Sequence, residues 1–158
     1  MPESNRILIA DDNQANSELL EAYLVGIDCD LEFAVDGKDT LDKVVSFQPD
    51  LILLDVMMPK LSGFEVCQQI KNNPRTRSIM ILMVTALNEL GDIERAVEAG
   101  TDDFLCKPVN KLALVKRVEH MLQFKDIKDE NERLRQYIQQ MEETVSYTHL
   151  TLPTTPYV

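Results

Sequence analysis

The stretch that decides the fold is LILLDVMMP at residues 51–59, in which four aliphatic residues run unbroken into Asp55 and a Met-Pro turn follows. An unbroken apolar run predicts a strand buried on both faces, which is typical of a parallel sheet covered by helices. Asp55 then lies at the carboxyl end of that strand. Because ligands bind at the carboxyl ends of strands in open α/β sheets, Asp55 is a candidate functional residue. The alternative is an aspartate that only caps the next turn.

Four further strands are predicted from short apolar or alternating runs at residues 6–10, 31–35, 79–84 and 103–106. Amphipathic segments between the strands predict helices, the last of which starts near Asn110. Strands alternating with helices indicate an α/β fold, a doubly wound five-stranded parallel sheet with helices on both faces, since crossovers between parallel strands are right-handed.

Local patterns give further expectations about the connections and the helix faces. Asp36-Gly37 is expected to form a turn. The fourth helix, from about residue 88 to Ala99, is expected to bury Ile93, Ala96 and Val97. The last helix is expected to bury Leu112, Val115, Val118 and Leu122.

The composition indicates an acidic globular protein of 158 residues, 44% hydrophobic, with a net charge of -11. Such a charge argues against nucleic acid as a direct partner, because a phosphate backbone requires a basic surface. We find no apolar run of about 18 residues and no leader, so neither a membrane span nor a signal peptide is expected, and a cytoplasmic location is predicted. The three widely spaced cysteines argue against a zinc site and favour reduced thiols.

Polar residues follow four of the predicted strands and should meet at one edge of the sheet. They are Asp11, Asp12, Asp55, Thr85 and Lys107. Three carboxylates repel one another in a partly dry cleft, so the site is predicted to hold a hard divalent cation, with Lys107 as a second counter-charge. Mg²⁺ fits, because it takes oxygen ligands and is commonly held by one or two carboxylates and a phosphate. The same groups suit phosphoryl transfer onto Asp55, since aspartate is a known nucleophile for that chemistry.

These motifs together resemble the receiver domain of two-component response regulators. They are Asp-Asp after the first strand, LLDVMMPKLSGFE at residues 53–65, VTA at 84–86 and FLCKP at 104–108. The resemblance covers about residues 5–123 and implies a flavodoxin-like sheet with strand order 2-1-3-4-5. It also implies a switch module, not an enzyme, which takes its phosphoryl group from a sensor histidine kinase or a phosphotransfer protein. The motifs VTAL, DDFLCKPV and LVKRV look most like receivers that precede cyclic-di-nucleotide output enzymes.

The resemblance assigns roles to individual residues. Asp55 becomes the phosphoacceptor, and Asp11 and Asp12 become the acidic pair for Mg²⁺. Asp12 is expected to bind the metal directly and Asp11 largely through water. Asp55 would also be a metal ligand, and the third protein ligand would be the backbone carbonyl of Met57.

The remaining roles concern the switch. Thr85 would be the switch hydroxyl and Phe104 the switch aromatic. Phe104 can also be interpreted as an aromatic residue of the core, and both roles can hold at once. Lys107 would precede a cis peptide bond at Pro108.

After residue 123 the helical pattern continues as an a/d heptad. Residues at one set of positions are Phe124, Asn131, Ile138 and Val145, and those at the other set are Ile127, Leu134 and Met141. The pattern predicts a coiled-coil linker over residues 124–145 that forms a weak parallel homodimer, with the lone Asn131 selecting two strands. A solvated helix with accidental spacing is the alternative.

Residues 146–158 change character, with no charge at neutral pH and two prolines. They look like translated adapter or vector sequence, and we exclude them from fold reasoning. A C-terminal output domain missing from this chain is therefore expected in the native protein.

Two other functions remain open from the residues alone. A Mg²⁺-dependent phosphatase of the haloacid dehalogenase type also forms an aspartyl-phosphate, but it needs D-x-D after the first strand, where this chain has Asp11-Asp12-Asn13. A dimerising scaffold with a vestigial site is the other, and the intact set of five polar residues argues against it.

Overall fold

The computed structural model describes residues 4–87 and 89–144. The strands are β1 Asn5–Ala10, β2 Cys29–Ala34, β3 Leu51–Leu54, β4 Met80–Thr85 and β5 Asp103–Cys106, and the helices are α1 Gln14–Tyr23, α2 Gly37–Phe47, α3 Gly63–Asn72, α4 Leu90–Ala99 and α5 Lys111–Thr144. All paired strands are parallel, in the order β2-β1-β3-β4-β5. The predicted doubly wound sheet and its implied strand order are confirmed. The expectation for residues 146–158 lies outside the described residues.

Strand β3 is buried on both faces, as its unbroken apolar run predicts. Ile52 and Leu54 pack into one apolar layer with residues of α2, α3 and α4. Leu51 and Leu53 pack into a second layer with residues of α1 and α5. This alternation follows from the period of two in a strand. The strand order places β3 at the centre of the sheet, and Asp55 follows its carboxyl end.

The buried faces of two helices differ from the prediction. In α4 only Ala96 of the three expected residues is buried, while Ile93 and Val97 are 38% and 66% exposed. Ala96 and Ala99 face the sheet in their place, because small side chains let the helix backbone approach closely.

In α5, Leu112 is 62% exposed and Leu114 is fully buried instead. The buried positions are Leu114, Val118, Met121 and Leu122. They follow the i, i+4, i+7, i+8 spacing of one helix face, and Leu112 lies off that face. The prediction for Leu112 was therefore wrong, Val115 is only half-buried, and the predictions for Val118 and Leu122 are confirmed.

Asp36-Gly37 does not form an isolated turn. Asp36 is the N-cap of α2, and its side chain accepts a hydrogen bond from the backbone N–H of Asp39 at 2.7 Å. Gly37 is the first residue of the helix. Aspartate is common both in turns and at helix N-caps, so the Asp36-Gly37 dipeptide alone could not distinguish the two structures.

A boundary between Leu122 and Gln123 divides the chain into two units. In the second unit the described apolar side chains of Phe124, Leu134, Ile138 and Met141 are 55%, 56%, 47% and 51% exposed. All four occupy predicted a or d positions, and the coiled coil itself stays a prediction. Among the described helices, none has the length and hydropathy required to span a bilayer.

Candidate functional site

The carboxyl ends of β1 and β3 bring three aspartates together. The backbone N–H of Asp55 donates to the carbonyl of Ala10 at 2.9 Å, and that of Asp11 donates to the carbonyl of Ala34 at 3.1 Å. The sheet ladder therefore extends one residue past each strand and holds both aspartates in place. One carboxylate oxygen from each of Asp11, Asp12 and Asp55 lies within 4.8 Å of the others.

Lys107 bridges two of these carboxylates. Its Nζ donates to Asp11 Oδ2 at 2.8 Å and to Asp55 Oδ2 at 3.0 Å. Asp11 and Asp55 are only 4% and 7% exposed. Burial by itself lowers the pKa of the Lys107 ammonium, but the hydrogen bonds and charges of the two aspartates outweigh it, so the pKa lies above its ordinary value. Lys107 is therefore a cation at neutral pH and offsets one of the three negative charges.

The remaining negative charge and the donor set fit a hard divalent cation. Asp12 is exposed, and no described residue forms an ion pair or a hydrogen bond with its carboxylate. Asp11 is already engaged, because its Oδ1 accepts from the backbone N–H of Asn13 at 2.9 Å. The N–H of Met57 donates to Asp55 Oδ1 at 3.2 Å, so the chain after β3 folds back over Asp55. Carboxylate and carbonyl oxygens are the ligands that Mg²⁺ prefers.

Thr85 and Lys107 are joined through their backbones. Thr85 pairs with Cys106 in the sheet, and the N–H of Lys107 donates to the carbonyl of Thr85 at 2.8 Å. Thr85 is fully buried, and its Oγ1 accepts from the N–H of Leu87 at 3.4 Å. The Lys107–Pro108 peptide bond is cis.

Phe104 packs in the apolar core. It is half-buried and packs against the apolar layer that α2, α3 and α4 form on the sheet. The structure thus brings together the three aspartates and Lys107, places Thr85 beside Lys107, and puts Phe104 in the adjacent core.

Gly63 is a site residue that sequence reasoning did not single out. A Cβ atom there would lie 2.4 Å from the carbonyl oxygen of Asp55 and 2.7 Å from the Cα of Val56. The N–H of Gly63 also donates to the carbonyl of Val56 at 2.9 Å. Helix α3 therefore begins in direct contact with the backbone that carries Asp55. A glycine at the first position of a helix was the available signal, since glycine is a poor helix former.

The loop between β3 and α3 is also held from the side by the start of α2. Asp36 pairs with Lys60 at 3.2 Å, and the N–H of Gly37 donates to the carbonyl of Pro59 at 3.4 Å. The backbone N–H of Asp39, helped by Lys60, holds the pKa of Asp36 below its ordinary value. These contacts fix the loop that contains Met57.

Comparison with known proteins agrees with this geometry. A model of the response regulator receiver domain matches residues 7–119. The chain is 43% identical over 127 residues to response regulator PleD of Caulobacter vibrioides, covering 80% of this chain and 28% of that protein. It is 33% identical over 110 residues to protein PilG of Pseudomonas aeruginosa, covering 70% of this chain and 82% of that protein.

Other relatives and solved structures extend the comparison. The DNA-binding dual master transcriptional regulator RpaA of Synechocystis is 41% identical over 121 residues, which are 77% of this chain and 50% of RpaA. A CheY-like receiver domain protein from Methanospirillum hungatei superposes with a TM-score of 0.74 at 25% identity, covering 80% of this chain and 99% of that one. The chain spans only 28% of PleD and half of RpaA. On its fold, its acidic cluster and these matches, the chain belongs to the response regulator receiver domain family.

Proposed function

We propose that this chain accepts a phosphoryl group on Asp55 from a histidine kinase or a phosphotransfer protein and passes the change to a C-terminal output through α5. The observation that carries the proposal is the Lys107 bridge between Asp11 and Asp55. It places a fixed cation within hydrogen-bond distance of a nearly buried carboxylate, which is the arrangement that phosphoryl transfer onto that carboxylate needs.

The chemistry assigns the bond changes to Asp55. One carboxylate oxygen of Asp55 forms a bond to phosphorus as the bond from phosphorus to the donor breaks, and the donor leaves with that electron pair. The Lys107 ammonium stays within reach of the charge on the transferred group. Asp12, Asp55 and the carbonyl of Met57, together with Asp11 through water, would hold Mg²⁺. When bound, Mg²⁺ neutralises charge on the phosphoryl oxygens.

Thr85 and Phe104 are the proposed switch residues. The Thr85 hydroxyl, now accepting from Leu87, can donate to a phosphoryl oxygen once one is present on Asp55. Such a shift would draw the β4–α4 connection toward the site. Phe104 packs in the neighbouring apolar layer, and its position would follow that movement.

A phosphatase of the haloacid dehalogenase type is disfavoured by the position of the nucleophile. The nearly buried carboxylate that Lys107 contacts after β3 is Asp55, whereas that class places its nucleophile after the first strand. The residues that follow the first strand are Asp11-Asp12-Asn13, which lack the D-x-D pattern that this class needs. We therefore propose a signalling switch rather than a turnover enzyme.

Phosphorylation of Asp55 is tested with a small phosphodonor. With Mg²⁺ and acetyl phosphate, intact mass should show the gain of one phosphate in the parent chain and no gain in Asp55→Asn. Asp42→Asn is the matched control, because Asp42 is an exposed carboxylate on α2. This control should label like the parent. Equal labelling of the Asp55→Asn variant would contradict the assignment of Asp55 as the phosphoacceptor.

The output is proposed to be reached through a dimeric helix. The four exposed apolar side chains at a and d positions of residues 124–145 support pairing with a second copy. A helix of that length reaches roughly 33 Å, enough to pass a rotation or a register change to a following domain. That domain is proposed because the chain spans only part of PleD and RpaA.

Sedimentation of the chain, with and without phosphorylation, tests the pairing. Leu134→Lys places a charge at a d position and should abolish a concentration-dependent dimer. Gln139→Lys, on the same helix but off the a and d positions, should leave it unchanged. If the phosphorylated chain stays monomeric at high concentration, residues 124–145 form a solvated helix and not a coiled coil.

A further inference from the structure

The loop between β3 and α3, residues 55–62, contains a residue with a strained backbone. Lys60 has a φ of 72°, in the left-handed region that residues other than glycine rarely adopt. The N–H of Leu61 donates to the carbonyl of Pro59 at 2.9 Å, so Lys60 is the central residue of a γ-turn of the rare, strained form. Such a conformation persists only where surrounding contacts hold it, and strained residues cluster at functional sites.

The surrounding contacts come from the start of α2. Asp36 divides its carboxylate between two partners, because Oδ1 caps α2 while Oδ2 pairs with Lys60 Nζ at 3.2 Å. Gly37 is buried, and its N–H donates to the carbonyl of Pro59 at 3.4 Å. A Cβ atom on Gly37 would lie 2.4 Å from the carbonyl oxygen of Leu61. The start of α2 therefore packs directly on the backbone of the γ-turn.

The contacts from α2 matter for the metal site because Met57 lies in the same loop. The Met57 side chain is 60% exposed, so it does not anchor the loop in the core. The N–H of Met58 donates to the carbonyl of Val56 at 3.0 Å, and Met58 and Leu61 pack partly against the apolar core. Between these two residues the chain is exposed, and α2 supplies the contacts that hold it. The position of the Met57 backbone therefore depends in part on α2.

We propose that Asp36 and Lys60 are positioning residues that make the acidic cluster prefer Mg²⁺ over Ca²⁺. The inference rests on the proposed function, in which the carbonyl of Met57 is a metal ligand beside Asp12 and Asp55. Mg²⁺ requires near-ideal octahedral coordination at about 2.0–2.1 Å, whereas Ca²⁺ accepts flexible coordination at about 2.3–2.6 Å. A carbonyl held in one place suits the stricter ion. A loop released from α2 should therefore bind Mg²⁺ less well, while Ca²⁺ tolerates the change.

Lys60→Met tests the proposal, because the charge of Lys60 and its positioning role have opposite effects on metal binding. Methionine keeps a long side chain but cannot pair with Asp36. Loss of a positive charge near a cation site should by itself strengthen the binding of both ions by the same factor. Loss of the positioning contact should instead weaken Mg²⁺ binding about two- to fivefold, the range for one exposed ion pair, and weaken Ca²⁺ binding less.

Lys38→Met is the matched control. It removes the same positive charge from an exposed lysine on α2 for which the described chain shows no ion pair with the β3–α3 loop. The control should leave the ratio of the Mg²⁺ and Ca²⁺ affinities at the parental value. Both affinities are measured by calorimetric titration of the whole chain, and thermal unfolding without metal measures the stability of each variant.

Asp36→Asn provides a second variant from the other side of the ion pair. Asparagine is as good a helix N-cap as aspartate, so this change keeps the cap and removes the ion pair. It should lower the Mg²⁺-to-Ca²⁺ affinity ratio as Lys60→Met does, and the double variant should lower the ratio no further. An ion pair with a purely structural role would lower the unfolding temperature and leave the ratio unchanged, and that result would overturn the proposal.

Two results separate this inference from the proposed function. If the parent binds Mg²⁺, Asp12→Ala does not, and Lys60→Met binds both ions like the parent, then the metal site stands and the positioning role of Asp36 and Lys60 is excluded. If the parent chain itself binds no Mg²⁺, the proposed metal site is wrong and this inference falls with it.

Discussion

Replacing Gly63 by alanine should slow phosphorylation of Asp55 without touching any charged group. The added Cβ would lie 2.4 Å from the carbonyl oxygen of Asp55, whereas ordinary contacts begin at 3.4 Å. The start of α3 and the backbone of Asp55 must therefore separate by about 1 Å. Both neighbouring atoms belong to the backbone, so no side-chain rotation can relieve the contact.

The size of the effect follows from that displacement. A shift of about 1 Å in a reacting group costs on the order of 100-fold in rate. Overpacking of a close contact also destabilises a protein by about 1–3 kcal/mol. Gly63→Ala should thus remain folded at room temperature, unfold at a lower temperature than the parent, and label with acetyl phosphate about 100-fold more slowly.

Gly91→Ala is the matched control, because a Cβ at that position of α4 meets nothing within 4 Å. It should label at the parental rate and gain up to about 1 kcal/mol of stability from the better helix propensity of alanine. The initial labelling rates by intact mass and the thermal unfolding of all three proteins give the comparison. If Gly63→Ala labels as fast as the parent, the close approach of α3 does not position Asp55.

Three further outcomes are expected. Because the pKa of Lys107 is raised, its bonds to Asp11 and Asp55 stabilise the fold below the ordinary lysine pKa of about 10.4, and this stability is lost as pH rises through the folded pKa. The unfolding temperature should therefore fall more steeply above about pH 10 in the parent than in Lys107→Gln. Equal slopes would contradict this expectation. Asp12→Ala should weaken Mg²⁺ binding in calorimetric titration without lowering the unfolding temperature, because it removes an exposed carboxylate beside two others, and an unchanged affinity would exclude the ligand role. The backbone N–H of Asp39 and, to a smaller extent, Lys60 lower the pKa of Asp36, so its charged carboxylate contributes stability above about pH 3.9 that is lost as pH falls through the folded pKa. The parent should therefore be more stable than Asp36→Asn at pH 7, and the difference should shrink in acid. A difference that is independent of pH would refute the lowered pKa.

The sheet could be predicted because its signal is local. Leu51–Leu54 is apolar at every position and is buried at every position, so composition alone predicts a central parallel strand. The buried faces of the helices were harder to predict than the strands. In α4 the large apolar residues Leu90, Ile93 and Val97 form one stripe along the helix. The sheet is instead packed against a second stripe, which contains Ala96 and Ala99. Periodicity shows that a helix has two faces, and it does not show which one is packed when small residues suit the available space.

The acidic cluster could be predicted for a similar reason, since Asp11, Asp55 and Lys107 each directly follow a strand and parallel strands end at one edge. The contacts that position the cluster could not be predicted. Gly63 matters because of its distance to the carbonyl of Asp55, and Asp36 matters because it reaches Lys60 on another loop. Such contacts depend on how separate loops approach one another, and no short sequence pattern records that distance.

If Asp55 is phosphorylated as proposed, the position of Lys107 offers a route from Asp55 to the long helix. The Lys107 ammonium divides its hydrogen bonds between Asp11 and Asp55, and the backbone N–H of Lys107 donates to the carbonyl of Thr85. A phosphoryl group on Asp55 presents more negative charge than the carboxylate it replaces, so we expect the ammonium to move its bonds toward the new oxygens. Helix α5 begins at Lys111, so only residues 108–110 separate this ammonium from the helix. We therefore expect a change in the bonds of Lys107 to act on the short connection to α5. Lys107 would then both neutralise charge at Asp55 and pass the effect of phosphorylation to the helix.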